Sequence, residues 1–223
     1  METSRSETNL IFEPRTASVP ASMLEALSFM GNRLADCGAV WLVGGSCGAL
    51  LQGVALDTVP RDLDVYVDAD NAGTVHRALS SHAVDEQTYS ETGMYRSLLS
   101  HYRIEGVQVE LVGSLTVRIR EAEYEVRVDS LLARHAAVGT IRGVPIRFMP
   151  LAHELVFNVL RDRPDRYEPI AKAMRAQPAV HEPMLEELLR DNRIGAAYAD
   201  RLRELLRPLS REGEADGDAR DPI

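Results

Sequence analysis

Asp62 and Asp64 stand two residues apart in the text DLDVYV. On a β-strand, residues two apart point to one face, so both carboxylates project together while Leu63, Val65 and Val67 point the other way, into a core. Two adjacent carboxylates repel unless something positive lies between them. The usual positive group is a divalent cation with oxygen ligands, and Mg²⁺ held by one or two carboxylates plus substrate phosphates is its commonest form. A third acid, Glu110, falls in VQVELVG, where Val107, Val109 and Leu111 alternate inward and leave Gln108 and Glu110 facing the other way. Upstream, AVWLVGGSCGALL reads as a buried strand over 40–43, a tight turn of Gly44, Gly45 and Ser46, and a short apolar helix over 47–51. Glycines let a backbone approach a ligand closely, and the amides that open a helix favour an anion. Singly, these features are the polar face of a half-exposed strand, a strand-to-helix turn and a glutamate on a solvated face. Their order along the chain is what points to chemistry.

That order resembles the nucleotidyltransferase superfamily that includes DNA polymerase beta. The resemblance covers roughly residues 40–112 by motif. It implies that Asp62, Asp64 and Glu110 bind metal and form the catalytic set, with Glu110 on the nucleophile side and acting as general base. It also implies that Gly44, Gly45 and Ser46 hold the β- and γ-phosphates of a nucleoside triphosphate. Mg²⁺, or Mn²⁺, is the implied cofactor, and the implied reaction moves a nucleoside monophosphate to an acceptor with loss of pyrophosphate. Arg61, beside Asp62, is either a phosphate contact or a solvated loop residue. More loosely, PLAHELVFNVLRDRPDRYEPI resembles the helical segment after the catalytic domain of small bacterial nucleotidyltransferases of antibiotic-modifying and abortive-infection types. Those carry an acidic pair and then a lysine; here His153, Glu154 and Asn158 hold the matching positions, and Arg161, Arg163 or Arg166 could supply the missing charge. The chain lacks the Arg-Asp pair that tRNA nucleotidyltransferases place after their glycines, which argues against CCA addition.

Composition bounds the partners. The chain has 223 residues, 45% hydrophobic and 26% charged, and a net charge of −9, which disfavours a dedicated nucleic-acid binder. An acidic balance suits a cationic small acceptor such as an aminoglycoside, with Asp85, Glu86 or Glu91 as neighbours; an RNA end or a protein side chain stays open as the acceptor. Lys172 is the only lysine, so phosphate contacts fall to arginine, backbone amides or metal. No apolar run approaches the ~20 residues of a membrane helix, and the expected location is cytoplasmic. Cys37 and Cys47 read as reduced core thiols. A homodimer is expected by family analogy only, and a catalytically silent nucleotide-binding regulator or toxin–antitoxin component is the alternative function.

The elements that must position these residues are an α/β set. A loose leader is expected over 1–18 and a mixed-sheet nucleotidyltransferase domain over 19–149. A helical region should follow over 150–208 and a disordered acidic tail over 209–223. Helical spacing of Met23, Leu24, Ala26, Leu27, Met30 and Leu34 predicts a first helix that stops near Gly38. A helix after Asp68 should be capped by Asp70 or Asn71, and its Arg77-to-His82 spacing only coincidentally mimics a ribonuclease pattern. Strands over 95–104 and 107–113 should form a hairpin at Glu105-Gly106, and Gly143 should mark another turn. The sheet should be mixed, with the first half of the chain α/β and the later strands antiparallel. Four helical patterns follow Pro150, which suits the first turn of its helix.

Overall fold

The computed structural model describes residues 10–208; residues 1–9 of the leader and the acidic tail from 209 lie outside the described residues. The described part of the leader is not loose. Strand β1 (Leu10–Ile11) pairs in parallel with β8 (Ala137–Ile141), and the Phe12 ring meets Phe148 edge-on at 5.5 Å.

Helix α1 (Ala21–Leu34) buries Met23, Ala26, Leu27, Met30 and Leu34, the one apolar stripe its spacing allows. Strand β2 (Leu42–Gly44) and helix α2 (Gly45–Leu51) lie one to two residues from the expected bounds. Gly44 still pairs across to Asp64, and the turn falls on Gly45, whose φ of 63° suits glycine. Strand β3 (Asp62–Val67) buries Leu63, Val65 and Val67 on one side, as alternation requires. Helix α3 (Ala69–Leu79) begins at Asp68, not at Asp70 or Asn71. The Asp68 carboxylate gives its helix no side-chain cap; it accepts instead from the Val128 and Asp129 N–H groups at 2.7 and 2.8 Å. A loop distant in sequence has taken that side chain.

Strands β4 (Thr88–Thr92), β5 (Tyr95–Ile104) and β6 (Val107–Ile119) form a meander, continued by the short β7 (Ala122–Glu125). The β5–β6 turn has Glu105 at φ 49° and Gly106 at φ 76°, the left-handed pair that matches strand twist in a two-residue hairpin. Strands β8 and β9 (Val144–Phe148) turn the same way at Arg142-Gly143. Sheet order is β1-β8-β9-β2-β3-β6-β5-β4, with β7 on β6 and β10 (Arg193–Ile194) on β7. The sheet is mixed, and the later strands β4 to β7, and β8 with β9, pair antiparallel as expected. Adjacent β2 and β3 are antiparallel, whereas β3–β6 and β2–β9 are parallel.

Helices α4 (Leu151–Leu160), α5 (Pro164–Arg175), α6 (Pro178–Asp191) and α7 (Ala196–Leu206) complete the described chain. Pro150 is the residue before the first turn of α4, and its carbonyl accepts the His153 N–H at 2.9 Å. The sheet has a core on each face. One joins α1 and α3 to Val43, Leu63, Val65, Val67 and Leu111; the other joins α4–α7 to Leu42, Tyr66, Val112, Val117 and Tyr124. Cys47 is buried and Cys37 partly so, and both are free thiols. Among the described residues no helix is long and apolar enough to cross a membrane.

Candidate active site

The face of β3 turned away from α1 carries Asp62, Asp64 and Tyr66, and α4 and α5 stand over it. Parallel pairing puts Asp64 opposite Glu110 of β6, and antiparallel pairing puts Gly44 of β2 opposite Asp64. On the far side of β6, His101 of β5 faces Glu110. One row across four strands therefore reads Gly44, Asp64, Glu110, His101. A cavity of about 370 Å³ lies above this row, bounded by Asp62, Asp64 and Glu110, by Gly45 and Ser46, and by Asn158, Arg161, Arg163 and Arg166 from the helical side. Ser90, Thr92, Tyr95 and Ser97 of β4 and β5 line it together with Phe157.

The electrostatics follow from that crowding. Burial, then the Asp62, Glu110 and Glu154 carboxylates, push Asp64 up to about 7 against Arg161. Burial, with Asp62, also raises Glu110, opposed by His101. The Cys47 thiol of α2 is raised to about 12 by burial and by Asp64 and Asp62. Neither aspartate has an ion-pair partner among the described residues. Among those residues no three His, Cys, Asp or Glu side chains already stand close enough to hold a metal ion. The donor set nonetheless fits Mg²⁺ or Mn²⁺, being hard oxygen ligands on one wall whose uncompensated charge disfavours ionisation of Asp64.

The glycine turn is built for closeness to the carboxylates. A Cβ on Gly45 would overlap the Asp64 carboxylate, and one on Gly44 would meet Glu154 Oε1 and Tyr66 Cε2 at 2.8 Å. Gly45 does not offer a free amide: its N–H donates to Glu154 Oε1 at 2.7 Å. Glu154 is buried, which raises it to about 7 although that N–H, Arg161 and Arg166 oppose the shift. Ser46 Oγ accepts from Arg166 at 3.0 Å. Arg163 is held by Asp165 through two bonds of 2.8 and 2.7 Å. Arg161 stacks on the Phe157 ring at 4.6 Å from its centroid, and has no acidic partner among the described residues.

Of the residues singled out in the sequence, Asp62, Asp64, Glu110, Gly45 and Ser46 come together on this cavity. Gly44 sits just behind its wall, and Arg61 is exposed and does not line it. Asp85, Glu86 and Glu91 do not line it either: Asp85 holds His101, Glu86 lies 3.9 Å from His76, and Glu91 pairs with Arg96. His153 is fully buried beneath the site, bonded to the Tyr124 hydroxyl at 2.7 Å and pushed down to about 3 by burial, so it is neutral and reaches no ligand. Asn158 lines the cavity while donating to the Glu154 carbonyl at 2.8 Å. Sequence reasoning missed His101 and the hydroxyl wall of β4 and β5. The signal for His101 was present: it and Glu110 lie symmetrically about the Glu105-Gly106 turn, which makes them a cross-strand pair.

No protein-family model and no curated protein matches the chain. Among solved structures it is similar to a candidate nucleotidyltransferase from Thermotoga maritima, with 21% identity and a TM-score of 0.54, covering 78% of this chain and 96% of that one. The antibiotic-resistance factor ANT(2″)-Ia is a remoter likeness, at 12% identity and a TM-score of 0.49 over 82% of this chain and 95% of that one. An antigenic nucleotidyltransferase-like protein from Paracoccidioides brasiliensis is remoter again, at 12% and 0.44 over 84% and 94%. The chain has a nucleotidyltransferase-like fold, a statement that rests on the first of these three.

Proposed function

We propose that this nucleotidyltransferase-like chain moves a nucleoside monophosphate from a nucleoside triphosphate to an acceptor hydroxyl or phosphate, releasing pyrophosphate. The observation that carries the reading is a cavity with three carboxylates on its sheet wall and three arginines on its helical wall. Asp62, Asp64 and Glu110 would hold Mg²⁺ or Mn²⁺, which when bound neutralises triphosphate charge and lowers the pKa of an attacking hydroxyl.

The chain's own groups supply the rest. Arg161, with no ion-paired carboxylate among the described residues, and Arg166, braced on Ser46, are placed to take triphosphate oxygens by charge-assisted bonds. Tyr95 and Phe157, their rings tilted by 54°, give the cavity an apolar corner beside Arg161 that a base or an acceptor ring could meet. The acceptor oxygen attacks the α-phosphorus in line, the bond to the bridging oxygen breaks, and pyrophosphate leaves. Glu110 takes the acceptor proton on its carboxylate. Little covalent chemistry is asked of the protein, so catalysis is positioning and charge compensation.

A cationic acceptor would meet the cavity's own carboxylates, since Asp85, Glu86 and Glu91 lie outside it. The test is purified protein with each α-labelled nucleoside triphosphate and Mg²⁺ or Mn²⁺, against an aminoglycoside panel, pooled tRNA and no acceptor. Pyrophosphate release and a labelled product, both lost in Asp62→Ala, are expected. Metal-dependent nucleotide binding without pyrophosphate under any condition would replace this reading with a silent nucleotide-binding regulator.

A further inference from the structure

We propose that Asp85 and His101 form a positioning pair for Glu110, an inference that rests on the reading of Glu110 as a site carboxylate. Asp85 grips His101 twice, accepting the main-chain N–H on Oδ1 at 2.7 Å and bonding ring Nδ1 through Oδ2 at 2.6 Å. A carboxylate only accepts, so Nδ1 carries the proton and donates. Two bonds to one carboxylate fix the plane of the imidazole and stop it turning outward. The remaining nitrogen, Nε2, then lies 3.6 Å from Glu110 Oε2.

The segment that delivers Asp85 is itself fixed along β5. Val84 N–H donates to the His101 carbonyl at 2.8 Å, and Ala83 bridges to Tyr102. His101 and Glu110 are directly opposed across the hairpin, so their side chains share one face of the sheet. Within the row of acids, Glu110 is the member with a basic side chain at ion-pair distance, while Asp62 and Asp64 have no such partner among the described residues. With Asp85 on Nδ1, the ring in its doubly protonated form would turn an N–H toward Glu110, so that the pair orients that carboxylate from its β5 side. Partners that orient a metal-binding ligand typically matter about 10–100-fold in metal affinity or activity.

The test separates this from a merely structural bond. Asp85→Asn keeps an oxygen for the His101 main-chain N–H, and so keeps the segment in place, but turns an NH₂ toward the ring. Mn²⁺ alone is titrated by electron paramagnetic resonance into full-length wild type, Asp85→Asn, His101→Ala and the double variant. Turnover and thermal unfolding are followed in parallel. Asp85→Asn and His101→Ala are each expected to weaken Mn²⁺ binding and to lower kcat by about 10–100-fold. KM for the nucleotide should stay within about twofold, and Tm nearly unchanged. The double variant should be no worse than His101→Ala, because Asp85 acts only through the ring. Wild-type Mn²⁺ affinity and kcat in Asp85→Asn, or additive losses in the double variant, would overturn the pairing while leaving the site reading intact. Failure of wild type itself to take up Mn²⁺ would overturn both.

Discussion

Asp64 carries the sharpest conflict between folding and chemistry. Its raised pKa, about 7 against an ordinary 3.8, means that ionising it costs stability in the folded state. The sign is that of an acid whose folded value lies above its unfolded one: the cost is absent below about pH 4 and complete above about pH 7. Asp64→Asn should therefore gain in Tm over wild type, by more near pH 8 than near pH 4, while losing about 10²–10³-fold or more in turnover; scanning calorimetry and pyrophosphate release check the two halves. Gly45→Ala combines a left-handed backbone with an overlap on Asp64. It should cost more than about 1 kcal/mol in urea unfolding. Arg161→Ala should weaken nucleotide binding by about 10–100-fold, the worth of a charge-assisted bond, read as the dissociation constant of the triphosphate.

At the scale of elements, Glu154 ties the first turn of α2 to α4. Glu154→Gln retains an acceptor for the half-buried Gly45 N–H, whereas Glu154→Leu removes it. The leucine variant should be less stable than the glutamine variant by about 1–3 kcal/mol in chemical denaturation. These elements also show what the sequence could disclose. Alternation in DLDVYV and VQVELVG set which acids share a face, because a strand repeats every two residues whatever its neighbours do. The hairpin at Glu105-Gly106 was legible from its turn residues, and so was the strand face on which Glu110 lies. Not legible were the partners chosen in three dimensions: Asp68 given to the 128–129 loop, Glu154 given to Gly45, and Asp85 given to His101 in place of a ligand. Each is a bond between segments far apart in the chain, on which local periodicity is silent. The parallel alignment of β3 with β6 was hidden for the same reason.

At the scale of the molecule, the four C-terminal helices share a core with the sheet: Leu155, Val156 and Ile170 pack in one cluster with Leu42, Val117 and Tyr124. A chain ended at residue 149 strips that face of its cover, and should be aggregated or lack cooperative unfolding when examined by circular dichroism and size exclusion. The parallel contact between β3 and β6 has a kinetic consequence. β5 and β6 are joined by two residues and can meet early, but β6 reaches β3 only after α3, β4 and β5 have been looped out, and such non-local closure is slow. That closure is also what brings Asp64 and Glu110 side by side. The acids of the proposed site repel one another as that contact forms, which should slow closure when they are ionised. Refolding should run faster near pH 5 than near pH 8, and Asp64→Asn should lose much of that difference.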